Sequence, residues 1–343
     1  MNDLNAIHTP VLLDTCIRLI APALRHPGSV VVDCTLGLAG HACALLAAVP
    51  QTHLIGIDRD REALTLATER IREAGFGARF TPVHAAFDRF GDVLRDQGLN
   101  RVDAAFMDLG LSSLQIDERD RGFSYSHDAP LDMRMDAEQA LTAREVLATY
   151  DVDDLTAIFR TYGEERFARP IARQIVRSRA TRPLLTSGQL DQLVDEVVPR
   201  AHRSPGNPAK RVFQALRIEV NGELDKLART LPQIALHLAV HGRLVVESYH
   251  SLEDRTVKTF MGQGLHADVP VGLPVIPDED MPFFSALTRG AIKAEQAEIE
   301  ANPRSKSVRL RAVELTREIP PRFVTRFLRT TRLEQPHTVI RRG

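Results

Sequence analysis

The sequence predicts an α/β fold: a parallel, Rossmann-like sheet flanked by helices and interrupted by an inserted helical domain. Three observations predict it. Short apolar runs alternate with helical patterns through the first third of the chain, as βαβ units require. The runs 30–32, 52–57 and 102–107 each end on an aspartate: Asp33, Asp58 and Asp108. From about residue 114 to 208 the rhythm gives way to short amphipathic helical segments separated by Gly and Pro, and it resumes with the strand-like run 243–247.

The first unit is Val30-Val-Val-Asp-Cys-Thr-Leu-Gly-Leu-Ala-Gly-His41. Its apolar start suits a buried parallel strand. The chain then turns through Asp33 into a loop holding Gly37, Ala39 and Gly40, and residues 42–48 are good helix formers. Small residues let backbone approach a ligand, and a helix N-terminus offers free N–H groups. Asp58 ends the second strand about 25 residues after Asp33, where an acid can accept both hydroxyls of a ribose. The loop reads G-x-A-G rather than G-x-G-x-x-G, and Asp33 would repel a diphosphate. A cationic ligand without phosphate fits better, which favours S-adenosylmethionine over a nicotinamide dinucleotide.

The remaining elements follow in order. His8-Thr-Pro precedes an amphipathic helix pattern through Val11, Leu12, Cys16, Leu19 and Ile20, with His8 read as a cap in preference to a ligand-side residue. Residues 59–71 read as the helix after the second strand and 78–83 as a third strand. Phe87 follows it, placed either against an adenine face or in the core. The fourth strand, 102–107, leads into Asp108-Leu-Gly-Leu-Ser-Ser113. Ligands of open α/β sheets bind beyond the carboxyl ends of the strands, so Asp33, Asp58, Phe87 and Asp108 converge on one edge. Residues 143–149, 152–161, 167–179 and 189–197 read as helices of the insertion, 211–231 as one long helix, and 254–260 as another. The Gly-, Pro- and Asp-rich stretch 262–282 reads as a loop, 291–300 as a charged helix, and 308–315 as a last strand. The domains expected are thus 1–113 with 209–320, the insertion 114–208, and an Arg-rich tail, 321–343.

The composition, 43% hydrophobic and 26% charged, is globular and argues against a disordered or fibrous chain. The net charge is −1, so contact with nucleic acid must rest on local patches. Three arginine-rich stretches supply candidates: 166–182, where Arg169, Arg173 and Arg177 share a helical face; 304–311; and the tail from Arg322 to Arg342. Cys16, Cys34 and Cys43 have no metal-ligand spacing, and no metal is expected. A long apolar run near the N-terminus, or one of membrane-span length, is not seen, so a cytoplasmic protein without a membrane partner is expected.

Several runs make the chain similar to the ribosomal small-subunit methyltransferase H family, the MraW family. They are His8-Thr-Pro-Val-Leu12, residues 33–41, Gly56-Ile-Asp-Arg-Asp60, residues 108–113 with Gln115, Arg121-Gly-Phe-Ser124, Leu131-Asp-Met-Arg-Met-Asp136 and Tyr162-Gly-Glu-Glu-Arg-Phe167. They continue with residues 213–221, Tyr249-His-Ser-Leu-Glu-Asp-Arg255 and Asn302-Pro-Arg-Ser305. The resemblance spans residues 8 to about 315. It departs at Leu38-Ala39, where the family is richer in glycine, at Asn207, where it usually has histidine, and at Tyr249, where it has phenylalanine. It departs also at Glu247, where an apolar residue is commoner. The resemblance implies a class I S-adenosylmethionine-dependent methyltransferase that methylates N4 of a cytidine in the decoding region of 16S rRNA, with the small ribosomal subunit as partner. A homodimer is compatible with it. Carried over by residue, it places cofactor contacts at Ala39, Gly40, His41, Asp58, Phe87, Asp108 and Gln115.

Methyl transfer to N4 needs an acceptor that hydrogen-bonds the amine and takes its proton. Asp108 and Ser112 are expected in that role. His250, after the fifth strand, and Asp132, with Arg134 in the insertion, are further candidates at the pocket. Methylation at C5 would need a cysteine nucleophile, and none lies near Asp108 in sequence. A DNA amino-methyltransferase and a non-catalytic RNA-binding assembly factor are the competing readings. The first conflicts with the length of the resemblance. The second conflicts with the retained Asp58, Asp108 and Gln115.

Overall fold

Successive residues of the central strands face opposite sides of one sheet, and both sides are covered by helices. In this computed structural model, which describes residues 10–112, 114–115, 121–123, 127–202, 207–267, 269 and 276–332, the chain forms two compact units. Among the described residues, one comprises those up to Gly110 and from Leu224 on, the other those from Leu111 to Glu223.

The first unit carries a seven-stranded sheet in the order β3-β2-β1-β4-β5-β7-β6. The strands are β1 (Val30–Asp33), β2 (His53–Asp58), β3 (Phe80–His84), β4 (Val102–Asp108), β5 (Leu238–Ser248), β6 (Phe284–Ala286) and β7 (Arg309–Leu315). β1 to β5 are mutually parallel, and β7 and β6 join antiparallel. This is the doubly wound Rossmann-like arrangement, with the order reversing between β1 and β4. Val31, Leu54, Ala104, Phe106 and Val245 face α1 (Leu13–Ile20), α2 (Gly40–Ala48) and α3 (Arg61–Glu73) in one buried cluster. Their neighbours Val32, Ile55, Ala105, Met107 and Val246 face α4 (Phe90–Asp96), α10 (Glu223–His237) and α11 (Ser251–Leu265) in another. Two-sided burial explains why these strands read as apolar runs rather than as alternating patterns.

The second unit is helical. It contains α5 (Ala143–Thr149), α6 (Val152–Thr161), α7 (Ala168–Arg179), α8 (Ser187–Val197) and α9 (Lys210–Asn221). Capping boxes at Thr142 with Glu145 and at Thr186 with Gln189 start α5 and α8. The segment 211–231, expected as one helix, is two. Gly222 takes a left-handed conformation (φ 60°) that closes α9, and α10 begins at Glu223. Asn221, just before it, is buried: its side chain accepts from the Met135 amide (2.9 Å) and donates to the Met133 carbonyl (2.8 Å). Asn221-Gly222 therefore both ends a helix and pins the Leu131–Asp136 run. The units divide after Gly110 and Glu223, so α9 belongs with the helical unit, not with the sheet as the expected boundary at 208 has it.

Other elements differ from expectation. The helix expected at 291–300 covers only Gln296–Ala301 (α12), because Ile292 pairs with Leu310 beside β7. The helix expected at 254–260 extends over Ser251–Leu265, and β6 lies between the expected loop 262–282 and the expected helix 291–300, where no element is expected. The tail from 321 begins as a helix, α13 (Pro321–Arg332), whose Phe323 and Phe327 are buried. They join Phe260, Phe283 and Phe284 with ring centroids 4.8–6.3 Å apart. His8 and the tail beyond residue 332 lie outside the described residues.

This aromatic cluster ties α13 to the sheet. Phe327→Ala should lower unfolding stability by about 3–5 kcal/mol, as expected for deleting a buried ring. Urea unfolding followed by circular dichroism checks it; a loss below about 1 kcal/mol would mean α13 packs without load on Phe327.

Candidate active site

Four strands of the parallel sheet deliver acids or their neighbours to its carboxyl edge. Asp33 ends β1, Asp58 ends β2, Asp108 ends β4, and Glu247 lies one residue from the end of β5. Asp108 and Glu247 are register partners on adjacent strands. Both lie on the face covered by α1 and α2, as the alternation of β4 and β5 dictates.

The loop after β1 holds itself together through backbone groups. Asp33 is 3% exposed and accepts from the Thr35 amide (3.1 Å). The Thr35 hydroxyl accepts from the Asp108 amide (2.6 Å), coupling the ends of β1 and β4. Asp58 accepts from the amides of Gly37 (2.7 Å) and Asp60 (2.8 Å), and each oxygen has a second lone pair for a ligand. Ala39 caps α2 in a left-handed conformation (φ 61°). A Cβ on Gly40 would fall 2.5 Å from Cγ of Pro10, so only glycine permits that close approach at the start of α2. Phe87 follows β3 in a 3-10 turn and is half-buried against the core. The backbone after β3 is tied to β2 by the Ala85 amide donating to the Asp58 carbonyl (3.0 Å).

His41, in the first turn of α2, stands among the acids. Its Nε2 is 2.9 Å from the Val11 carbonyl and 3.8 Å from Glu247 Oε2, and its Nδ1 is 3.8 Å from Asp108 Oδ2. Its ring packs on Phe106 at 4.7 Å. The Tyr249 hydroxyl donates to Asp108 Oδ1 (2.8 Å), and Cys16 Sγ donates to Glu247 Oε1 (3.4 Å). His250 caps α11 through Nδ1, which accepts from the Glu253 amide (3.4 Å), while Glu253 accepts from the amides of Tyr249 and His250. The predicted pocket histidine is thus first a helix cap.

Burial dominates the electrostatics. It pushes the Asp33 carboxyl up to about 7 against the Thr35 amide, which acts the other way. It pushes Asp58 up to about 6, opposed by the Asp60 and Gly37 amides. Asp108 is raised by burial, opposed by His41 and by the hydrogen bond from Tyr249. Glu247 is raised far above the ordinary carboxyl range by burial and then by Asp108.

The other predicted site residues belong to the second unit. Ser112 and Gln115 close a local turn: the Ser112 amide donates to Gln115 Oε1 (3.1 Å), and the Gln115 amide donates to Ser112 Oγ (3.3 Å). Asp132 forms a two-armed ion pair with Arg134 (both 2.8 Å). Burial raises the Asp132 carboxyl, but the Arg134 contacts outweigh it and leave it below the usual range. Arg169, Arg173 and Arg177 are all exposed on α7. Arg309 and Arg311, by contrast, both pair with Asp254 (3.1 and 2.7 Å), so that stretch is partly structural.

The residues not foreseen are Thr35, Cys16 and the contacts of Glu247 and Tyr249. Glu247 near the end of β5 and Tyr249 just past it both reach Asp108, but the β4–β5 register that sets Glu247 opposite Asp108 is not visible in sequence.

Comparison with known proteins decides the family. The model of the MraW methylase family matches residues 5–316. The chain belongs to the MraW methylase family. It is 70% identical, over 95% of both chains, to a protein of Bifidobacterium adolescentis named ribosomal RNA small subunit methyltransferase H. It is 69% identical to the protein of that name from Bifidobacterium longum strain DJO10A, over 96% of this chain and 92% of that one. The protein of that name from Frankia alni is 55% identical over 92% of this chain and 97% of its own. MraW methylases are class I methyltransferases that use S-adenosylmethionine, and the edge of this sheet fits that group. The buried Asp33 suits an ammonium, the half-buried Asp58 suits ribose hydroxyls, and the first turn of α2 offers backbone N–H groups beside them. In this MraW methylase Asp33, Asp58 and the loop before α2 are the groups that match it.

Asp33 also sets a pH dependence. An acid whose folded pKa lies above its unfolded value near 4 holds more protons when folded, so its contribution destabilises increasingly as pH rises from about 4 through about 7. Asp33→Asn should flatten the fall of Tm of the ligand-free protein between about pH 5 and pH 8 and raise Tm at the upper end. The same variant should bind S-adenosylmethionine more weakly by calorimetry. A steeper Tm profile in the variant would refute the assignment.

Proposed function

We propose that this chain transfers the methyl group of S-adenosylmethionine to N4 of a cytidine in the decoding region of 16S rRNA. The carrying observation is the family match across residues 5–316, with relatives named ribosomal RNA small subunit methyltransferase H at 70% and 69% identity over nearly the whole chain. The choice of N4 follows from the family that the chain resembles and from the name its relatives carry. The small ribosomal subunit is the partner in this reading, and the protein works in the cytoplasm. Among the described residues no helix is long and apolar enough to cross a membrane.

Asp58 accepts the ribose hydroxyls, Phe87 borders the adenine, and the backbone of Ala39–His41 faces the methionine part, with Asp33 near its ammonium. When bound, the cofactor supplies a methyl already activated by its sulfonium. The protein's work is to orient and to manage one proton. The N4 lone pair is delocalised into the ring, so a hydrogen-bond acceptor must localise it. Asp108 is that acceptor, and it takes the N4 proton as the N–C bond forms. The Tyr249 hydroxyl holds Asp108 Oδ1 and so orients the carboxylate. His250 positions the start of α11. Gln115 and Ser112 brace one another in the second unit, and Asp132 with Arg134 stiffens the Leu131–Asp136 run. The target base must leave its stack or lie in single-stranded RNA to be reached. Arg169, Arg173 and Arg177 contact the RNA backbone.

Purified protein incubated with tritiated S-adenosylmethionine and small subunits from a strain lacking this activity should yield labelled N4-methylcytidine after digestion. Label in another nucleoside would overturn the substrate. Asp108→Asn should lower kcat by about 100-fold or more while RNA binding persists. The triple change of Arg169, Arg173 and Arg177 to Ala should weaken RNA binding and reduce its logarithmic salt slope by about 2; an unchanged slope would return α7 to a solvated face.

A further inference from the structure

Glu247 is an anomaly of packing. It follows the buried apolar residues Leu244, Val245 and Val246, it is itself 0% exposed, and it lies on the face where α1 and α2 pack. Oε1 accepts from Cys16 Sγ–H, and Oε2 is buried with no amide or hydroxyl donating to it. The groups that face it are Cys16 on α1, His41 on α2, Asp108 on β4 and Glu298 on α12. Asp33, Tyr249 and Glu253 stand around the same cluster beyond Asp108 and Cys16. His41 is the one potential cation of that set. Its Nε2 already lies at hydrogen-bond distance from the Val11 carbonyl, and it is 3.8 Å from each carboxyl.

Glu247 is fully buried whereas the Asp108 side chain keeps 29% exposure, so the deeper of these two neighbouring carboxyls does not ionise beside the other: its charge would lose hydration and repel that of Asp108. One proton between them removes both penalties. The deeper group, without a backbone amide, is the one that keeps it. Asp108 has the Tyr249 hydroxyl to support a negative charge, whereas Glu247 has only a thiol, a weak donor.

We propose that Glu247 is a positioning residue, a neutral carboxyl that donates its proton in a hydrogen bond to Asp108 across the β4–β5 register and so holds Asp108 as the carboxylate facing N4. The inference rests on the reading of Asp108 as the N4 proton acceptor. Tyr249 and Glu247 then grip Asp108 from two sides. In the family the chain resembles, an apolar residue is commoner at this position.

The test compares Glu247→Gln, which keeps an N–H donor, with Glu247→Leu, which removes it. In the kcat–pH profile of the full-length enzyme on small subunits, Glu247→Leu should move the acid limb upward by about one unit or more, since Asp108 loses a hydrogen bond to its charged form. Glu247→Gln should restore most of that shift. Equal limbs in all three proteins, or equal shifts in both variants, would overturn the proposal, because a packing role moves stability and not the limb. Should Glu247→Leu fail to fold, the infrared difference spectrum between wild type and Glu247→Gln at about pH 8, above the range in which Asp33 titrates, decides. A neutral-carboxyl band lost in the variant supports the shared proton, and its absence overturns it. Retained turnover in Asp108→Asn would instead remove the acceptor reading while leaving the infrared result to stand by itself.

Discussion

Carboxyl groups buried or half-buried at the end of a parallel sheet are the constraint from which the rest of this site follows. A parallel sheet covered on both faces has polar exits only at its strand ends. Asp33, Asp58 and Asp108 use those exits, and Glu247 sits one residue inside. Their compensation comes from backbone amides, a tyrosine hydroxyl, a thiol and a histidine ring. Such partners only partly offset desolvation, which is why these acids titrate high. The edge is therefore a place of stored electrostatic cost, which a ligand bearing positive charge and hydroxyl donors relieves. Stability and affinity are coupled there, and any substitution that neutralises an acid trades one against the other.

The βαβ half was legible because its signal is local. Apolar runs end on aspartates, a small-residue loop opens α2, and the buried faces follow from period 2 once the strands are known. The helices of the second unit were legible for the same reason: Thr142 with Glu145 and Thr186 with Gln189 announce their starts within four residues. Where reading failed, a distant partner had overridden a local pattern. The charged stretch 291–300 looks helical, but Ile292 is drawn into pairing with Leu310. The arginines after residue 321 look like a solvated tail. Phe323 and Phe327, four apart, nevertheless form a buried stripe against rings contributed by residues 260, 283 and 284. Arg309 and Arg311 look like a phosphate patch until Asp254, more than fifty residues away in sequence, claims both.

The site divides along the same line. Asp58 and Asp108 stood out because strand-end acids have a known geometric meaning. Tyr249 and Glu247 did not, although both were visible as departures from the resemblance. The meaning of Glu247 depends on which residue of β4 lies opposite, that of Tyr249 on how the chain leaves β5, and both are properties of the assembled sheet. His250 shows the converse. A histidine beside a pocket invites a chemical role, yet its Nδ1 closes a capping box with Glu253, a pattern that is itself readable three residues apart.

The Glu247–Asp108 arrangement also bears on how an amino-methyltransferase avoids a particular difficulty. The acceptor must be a carboxylate before the reaction and must hold a proton after it, in a site kept dry enough to exclude water from the transferring methyl. A lone buried aspartate meets the second demand easily and the first poorly, since burial alone favours its neutral form. Donors aimed at the carboxylate correct the first demand without wetting the site. Tyr249 supplies one such donor at 2.8 Å. A second donor that is itself a carboxylic acid adds no net charge, so it supports the carboxylate without attracting the cationic cofactor into the wrong place, as a fixed anion at Glu247 would. On this argument the glutamate is tolerated in an apolar strand because it enters the sheet as an acid.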